Sequence, residues 1–374
     1  MKATCLLPVA MAAMGTCAMA QNSTVFGRVD LGLQSIDMDG AKRTGVDSGN
    51  YTSSRLGFRG TEDLGGGLSA LYHLEMGIAA DSGTAGNGNR LFNRGSYMGL
   101  ADKSLGTLTL GRQYTPMFYP FLNADETGRL RLGNYSTVNS IQRTNLLRVA
   151  QAALTVPVAN GALASGAKGT YSAGTGSSWE DNQLLYKTPT FAGFTASVSA
   201  SPSENYTDST KLYGGNIEYR NGAFYAGGGI NRKYGKVTAT GALQRSDEAV
   251  LGALYAITSS FKIWGNVHGW EVDPGAGASA TIQGRDAMLG ASYWTSSGEL
   301  WTNYARKTVS SCSDCGSDGL GIGYNHFLSN RTELYVAYGR VGNQRNSANT
   351  FMSYAPTQFG GTVQGLAAGI AHVF

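Results

Sequence analysis

The chain is 374 residues long, with 53 glycines and 20 tyrosines but only 8 prolines, and 14% of it is charged for a formal net charge of +4. So small an excess gives no reason to expect nucleic acid as a partner, and no long apolar stripe at helical spacing argues for a helical bundle. The slightly negative mean hydropathy is that of many soluble proteins, but a barrel strand that is apolar on one face and wet on the other also averages to neutral.

The N-terminus reads as an export signal. Lys2 supplies a positive start, an apolar run follows over about 6–14, and Ala18-Met19-Ala20 has the small residues of a cleavage site. The run is shorter than the ~20 residues a spanning helix needs. Residues 1–20 are therefore expected to be removed as a signal peptide, leaving 374 − 20 = 354 residues, 21–374, as one domain.

From there an alternation with a period of two recurs to the end of the chain. Val25, Gly27, Val29, Leu31 and Leu33 share one face of the first segment, opposite Arg28, Asp30 and Gln34. In the second, Leu56, Phe58 and Gly60 back onto Arg55, Gly57 and Arg59; in the third, Leu68, Ala70, Tyr72, Leu74, Met76 and Ile78 back onto Ser69, His73 and Glu75. A charged row behind an apolar row on successive strands is hard to bury in a water-soluble sandwich. Export and a long run of strands favour lipid outside and water inside. Sixteen strands are expected, at about 24–36, 51–60, 67–79, 91–101, 105–114, 181–188, 193–201, 211–220, 223–232, 248–258, 261–271, 283–294, 299–307, 319–327, 331–341 and 363–374. Short links such as Asn221-Gly222 and 295–298 alternate with longer polar ones such as 38–50, 80–90, 271–282 and 342–362. Short turns at one rim and long loops at the other belong to an outer-membrane barrel.

The stretch 115–179 breaks the pattern, and a connection of that size is usually functional. It holds Met117-Phe118-Tyr119-Pro120-Phe121, the acidic Asp125 and Glu126, and the basic Arg129, Arg131, Arg143 and Arg148. Such a loop could cover the outside of the barrel or fold into the lumen and narrow it; the second reading is favoured.

Several pieces in fixed order carry a resemblance: Val25-Phe26-Gly27-Arg28-Val29-Asp30, Ser53-Ser54-Arg55-Leu56-Gly57-Phe58-Arg59-Gly60-Thr61-Glu62-Asp63-Leu64-Gly65, Leu91-Phe92-Asn93-Arg94, Leu110-Gly111-Arg112-Gln113-Tyr114, Tyr186-Lys187-Thr188-Pro189, Asn330-Arg331-Thr332-Glu333-Leu334-Tyr335 and a terminal Phe374. Together they resemble the general diffusion porins of beta-proteobacterial, Gram-negative outer membranes. The resemblance implies an all-β fold, a sixteen-stranded antiparallel transmembrane β-barrel with the long third loop folded into the lumen. It implies a homotrimer in the outer membrane and passive diffusion of small hydrophilic solutes and ions. It also implies wall arginines facing acidic groups on the loop. Arg55, Arg94 and Arg112 match the wall positions, and Asp125 and Glu126 fall in the acidic stretch. Arg28 and Arg59 join the expected pore constriction by alternation alone; the other reading has these arginines near a rim or paired with Glu62, Asp63 or Glu75. Where the family often carries a basic residue in its sixth strand, this chain has Trp179-Glu180-Asp181-Asn182, so the expected anion preference is modest. Phe374 is implied to be the assembly signal read by the outer-membrane insertion machinery, and it also closes the last strand.

Cys5 and Cys17 leave with the signal, so Cys312 and Cys315 remain, in Ser311-Cys312-Ser313-Asp314-Cys315-Gly316. They lack the strand and helix of a redox motif and the further ligands of a zinc site. In an exported protein a small surface-loop disulfide is expected, with a free or redox-active pair as the alternative. His73, His268, His326 and His372 are too scattered for a metal site, and neither a nucleophile motif nor a phosphate-binding glycine loop occurs. No enzyme activity, cofactor or metal is expected. Outer-membrane lipid and lipopolysaccharide are expected to surround the barrel, and an outer-membrane adhesin or binding protein is the competing function.

Overall fold

Strands with one face for lipid and one for water leave no exposed edge only when their sheet closes on itself. The structure, a computed structural model, describes residues 22–86, 90–127, 147–150, 170–173, 178–202, 211–236, 243–273, 281–351 and 354–374. The expected signal peptide and most of 115–179, including Arg129, Arg131 and Arg143, lie outside the described residues.

The elements run β1 (Asn22–Met38), β2 (Ala41–Ser48), β3 (Arg55–Gly65), β4 (Leu68–Ala79), β5 (Thr84–Ala85), β6 (Gly95–Asp102), β7 (Gly106–Tyr114), α1 (Phe118–Asn123), β8 (Leu147–Ala150), β9 (Thr170–Ala173), β10 (Trp179–Lys187), β11 (Phe194–Ser201), β12 (Lys211–Asn221), β13 (Phe224–Lys236), β14 (Leu243–Ala256), β15 (Phe261–Asp273), β16 (Ile282–Trp294), β17 (Gly298–Val309), β18 (Ser317–Phe327), β19 (Thr332–Asn343) and β20 (Thr362–Val373). β2 and β3 share one place beside β1, the first on its Leu31–Met38 end and the second on its Asn22–Arg28 end. β5 is a short pairing on the end of β4, and β8 and β9 pair only with each other. The other strands follow in neighbour order, and β1 closes onto β20 from Arg28↔Val373 to Met38↔Val363. The result is a closed sixteen-stranded antiparallel barrel.

Each expected segment contains a strand. Several boundaries differ: β14 begins at Leu243 rather than near 248, β3 runs Arg55–Gly65 rather than 51–60, β6 begins at Gly95 rather than near 91, and β13 ends at Lys236 rather than near 232. Most of the expected loop 38–50 is β2, which continues the wall above the apolar band, where Arg43 pairs with Asp47 and apolar alternation has no role.

The two faces are as the alternation requires. Leu33, Ile230, Leu251, Val267 and Leu289 are exposed on the outside, while Asp30, Gln34, Asn231, Glu248, His268 and Asn303 are buried on the inside. An exposed apolar belt of this extent is a lipid contact, since a soluble surface rarely carries one.

The described start of the long connection turns onto the inner wall. Gln183 and Thr115 lie where β7 meets β10, and from there α1 packs against β12, β13 and β14. Met117, Phe121 and Val250 form an apolar cluster, and Phe121 meets the His268 ring edge-on at 5.5 Å. The helix comes this close because Gly229 and Gly252 present no side chain: a Cβ would stand 2.8 Å from Met117 Cα at the first and 2.6 Å from Ala124 Cβ at the second.

Candidate functional site

Two charged groups face the lumen from different parts of the wall. The first is built from arginines on β1, β3 and the approach to β6. Arg28 and Arg55 are register partners on the inner row. Arg28 lies 3.6 Å from Glu333 and 5.6 Å from the Tyr51 ring centre. Arg94 is buried, its Nε bonded to Glu75, its Nη2 donating to the Tyr114 hydroxyl at 3.3 Å, and its guanidinium 5.2 Å over the Trp179 ring. Tyr114 is held in turn between Phe118 at 4.3 Å and Trp179 at 4.9 Å, so aromatic stacking fixes the far side of Arg94. Arg55 stands in the field of Arg28, Arg94 and Glu75. Among the described residues it has no carboxylate within ion-pair distance.

The second group lies on the wall that carries the start of the long connection. Glu126 pairs with Lys262 of β15 at 2.5 Å, and the Lys262 ammonium sits 4.6 Å over the Trp294 ring. Glu299 of β17 stands nearby. Asp125 is buried, and its Oδ1 accepts the Thr127 amide at 2.9 Å and hydroxyl at 2.8 Å. Burial pushes the Tyr119 phenol well above its ordinary range, so this part of the connection holds it neutral.

The remaining expected residues stand elsewhere. Arg59 is on the inner row near the short-turn rim, exposed and 4.9 Å over the Phe26 ring. Arg112 is register-paired with Ser96, but the strand is irregular beside it: Gly111 has φ 126° and the facing β10 register slips between Glu180 and Gln183. Its guanidinium donates to the Asn93 carbonyl at 2.7 Å and pairs with Asp181 at 2.6 Å. Among the described residues Arg112 is thus held by Asn93 and Asp181, rather than by the Glu75 and Tyr114 that hold Arg94. Asp181 also holds Arg90 at 2.6 Å, and Glu180 holds Lys233 at 2.8 Å. The acidic pair in β10 is thus neutralised by neighbours. Lys262, Glu299 and Glu333 were not among the expected site residues; their inward parity beside Trp264, Trp301 and Tyr335 was the signal available.

Cys312 and Cys315 are bonded to each other with Cα atoms 5.6 Å apart. Both are buried rather than at the surface. The segment before β20 covers them: Gln344 Oε1 accepts the Gly316 amide at 2.7 Å, and Asn346 Nδ2 donates to the Ser313 carbonyl at 2.9 Å. Phe374 exchanges backbone bonds with Gly27 at 3.0 and 3.1 Å, and its ring lies where a Gly27 Cβ would be, 2.5 Å from Cζ.

A closed barrel with a charged interior matches known proteins over nearly its whole length. The family described as Gram-negative porin matches residues 7–346. This chain belongs to the Gram-negative porin family. Outer membrane porin protein 32 of Delftia acidovorans is 31% identical, with 99% of each chain covered. Major outer membrane protein P.IB of Neisseria gonorrhoeae is 27% identical over 62% of this chain and 58% of that one. Among solved structures, the anion-selective porin from Comamonas acidovorans superimposes with a TM-score of 0.77 at 28% identity, covering 95% of this chain and all of that one (100%). The trimer form of OmpT from Vibrio cholerae has a TM-score of 0.62 at 15% identity, with 95% and 100% covered, a likeness of fold. The porin is an outer-membrane channel protein, and its relatives are channels rather than enzymes.

Proposed function

We propose that this porin admits small hydrophilic solutes and ions by passive diffusion with a modest preference for anions. The observation that carries this reading is Arg55, an inward guanidinium between Arg28 and Arg94 with no ion pair among the described residues. A charge in a narrow water channel is screened less than one on an open surface, so one uncompensated cation biases what passes. The neutralised Glu180 and Asp181 remove the main sequence argument against that sign. The anion-selective relative supports it. The constriction is assigned to Arg28, Arg55 and Arg94 on one side and Glu126 with Lys262 on the other. Arg59 serves as a rim charge and Asp125 as a turn anchor.

Other parts of the reading have separate support. A homotrimer agrees with the trimeric OmpT neighbour. Removal of 1–20 on export agrees with the residue pattern at 18–20. Lipopolysaccharide suits Arg285 and Arg306, which stand on the outward rows of β16 and β17 with no ion pair among the described residues. Recognition of Phe374 by the insertion machinery agrees with its exposed ring at the end of the closing strand. In liposomes carrying the purified porin, small monoanionic solutes should enter faster than monocations of equal size. Equal rates, or faster cation entry, would refute the preference.

A further inference from the structure

One place in the wall departs from the ladder. β2 pairs with β1 as far as Leu31↔Ser48, and β3 resumes at Arg28↔Arg55, so residues 49–54 stand opposite Val29 and Asp30 alone. The surplus chain turns inward. Asn50, Tyr51, Thr52 and Ser54 are buried, and Tyr51 stacks on Tyr335, an inner-row residue of β19, at 5.4 Å.

One carboxylate holds most of this insert. Asp30 is fully buried. Its Oδ2 accepts the amides of Tyr51 and Thr52 at 2.7 and 2.6 Å, and its Oδ1 accepts the Tyr335 hydroxyl at 2.7 Å. Its own amide donates to Ser54 Oγ at 2.9 Å, while Gln34 Nε2 donates to Asn50 Oδ1 at 2.6 Å. Bonds to an ionised acceptor are roughly twice as strong as neutral ones, so Asp30 is the main fastening.

The insert meets the lumenal arginines at both ends. Arg28 rests over the Tyr51 ring, whose hydroxyl accepts from Asn325 Nδ2 at 3.4 Å. At the other end the Ser54 carbonyl accepts the Ile78 amide at 2.9 Å, and the next residue is Arg55. We propose that residues 49–54 form a second constriction element, pinned by Asp30, that sets where Arg28 and Arg55 stand in the lumen. Asp30 is then a positioning residue for ion selectivity, an inference that rests on the anion-preferring pore proposed above. As a bare charge, Asp30 would repel anions, and removing it would raise the preference for them. As a pin, its removal releases the insert, and the preference falls. The two roles predict opposite signs.

The test is Asp30→Asn, close in shape but uncharged, recorded in planar bilayers beside the native oligomer. The expected result is an assembled, heat-modifiable channel whose anion-over-cation permeability ratio is lower and whose open-channel current is noisier. An unchanged or higher ratio with a quiet current would overturn the pin. A native channel with no anion preference would instead overturn the pore reading beneath it, so the two failures are distinguishable. If Asp30→Asn does not assemble, Tyr51→Ala carries the test, because it removes the ring under Arg28 without changing charge. A lower ratio with larger conductance supports the proposal; native values of both overturn it.

Discussion

Replacing Gly252 by alanine should narrow the pore. The added Cβ would stand 2.6 Å from Ala124 Cβ and 3.0 Å from the Pro120 carbonyl oxygen. Carbon atoms in contact settle at about 3.5–4.0 Å, so the gap has to open by roughly 1 Å. β14 is hydrogen-bonded along both edges to β13 and β15 and cannot yield alone. The helix α1 is held to the wall chiefly by Met117 and Phe121, whose burial contributes roughly 1.5–3 kcal/mol each. It is the softer partner, and it moves toward the lumen. Overpacking of this kind costs about 1–3 kcal/mol, which shifts the helix without opening the barrel. The assay is single-channel conductance, with Gly269→Ala as the control, since a Cβ there meets nothing within 4 Å. Conductance should fall for Gly252→Ala and stay native for Gly269→Ala. An assembled Gly252→Ala channel with native conductance would refute the placement of α1 as a wall of the pore.

Lys262→Gln leaves Glu126 without its cation, so the zero-current potential should move toward the cation side; a move toward anions would contradict the pairing. Gly27→Val would drive a side chain into the Phe374 ring and the Arg55 carbonyl, 2.5 and 2.6 Å from its Cβ. The yield of folded, heat-modifiable protein in the outer membrane should drop, and a native yield would remove that contact from the closure. Reducing Cys312 and Cys315 should change the thermal unfolding of the barrel little, because a loop so short gains little from cross-linking. Thiol labelling before reductant is added should fail.

Much of the barrel was legible because a period of two runs through most of the spanning strands, and residues such as Leu251 and Val267 advertise the lipid face directly. The lumen was harder to read. Alternation says which row a residue occupies but not how far along the barrel it lies, so Arg59 near a rim looked equivalent to Arg55. The irregular backbone beside Arg112, with Gly111 at φ 126°, hides its partner Asp181 from any local pattern. The β10 register also slips between Glu180 and Gln183, with Asn182 at φ 53°, and no local pattern announces which arginines then reach Asp181. The insert at 49–54 was invisible for a similar reason. Its fastening joins Asp30 to backbone amides and to Tyr335, far away in sequence, and its residues 51–54 read as the start of the strand that begins at Arg55.

The most direct measurement is the zero-current potential across a salt gradient for the native porin and for Arg55→Gln combined with Arg94→Gln. The native potential should lie on the anion side, and the double variant, still heat-modifiable, should shift toward the cation side because the inward guanidiniums beside Arg28 are gone. A correctly assembled double variant with the native potential would contradict the assignment of ion selectivity to these arginines.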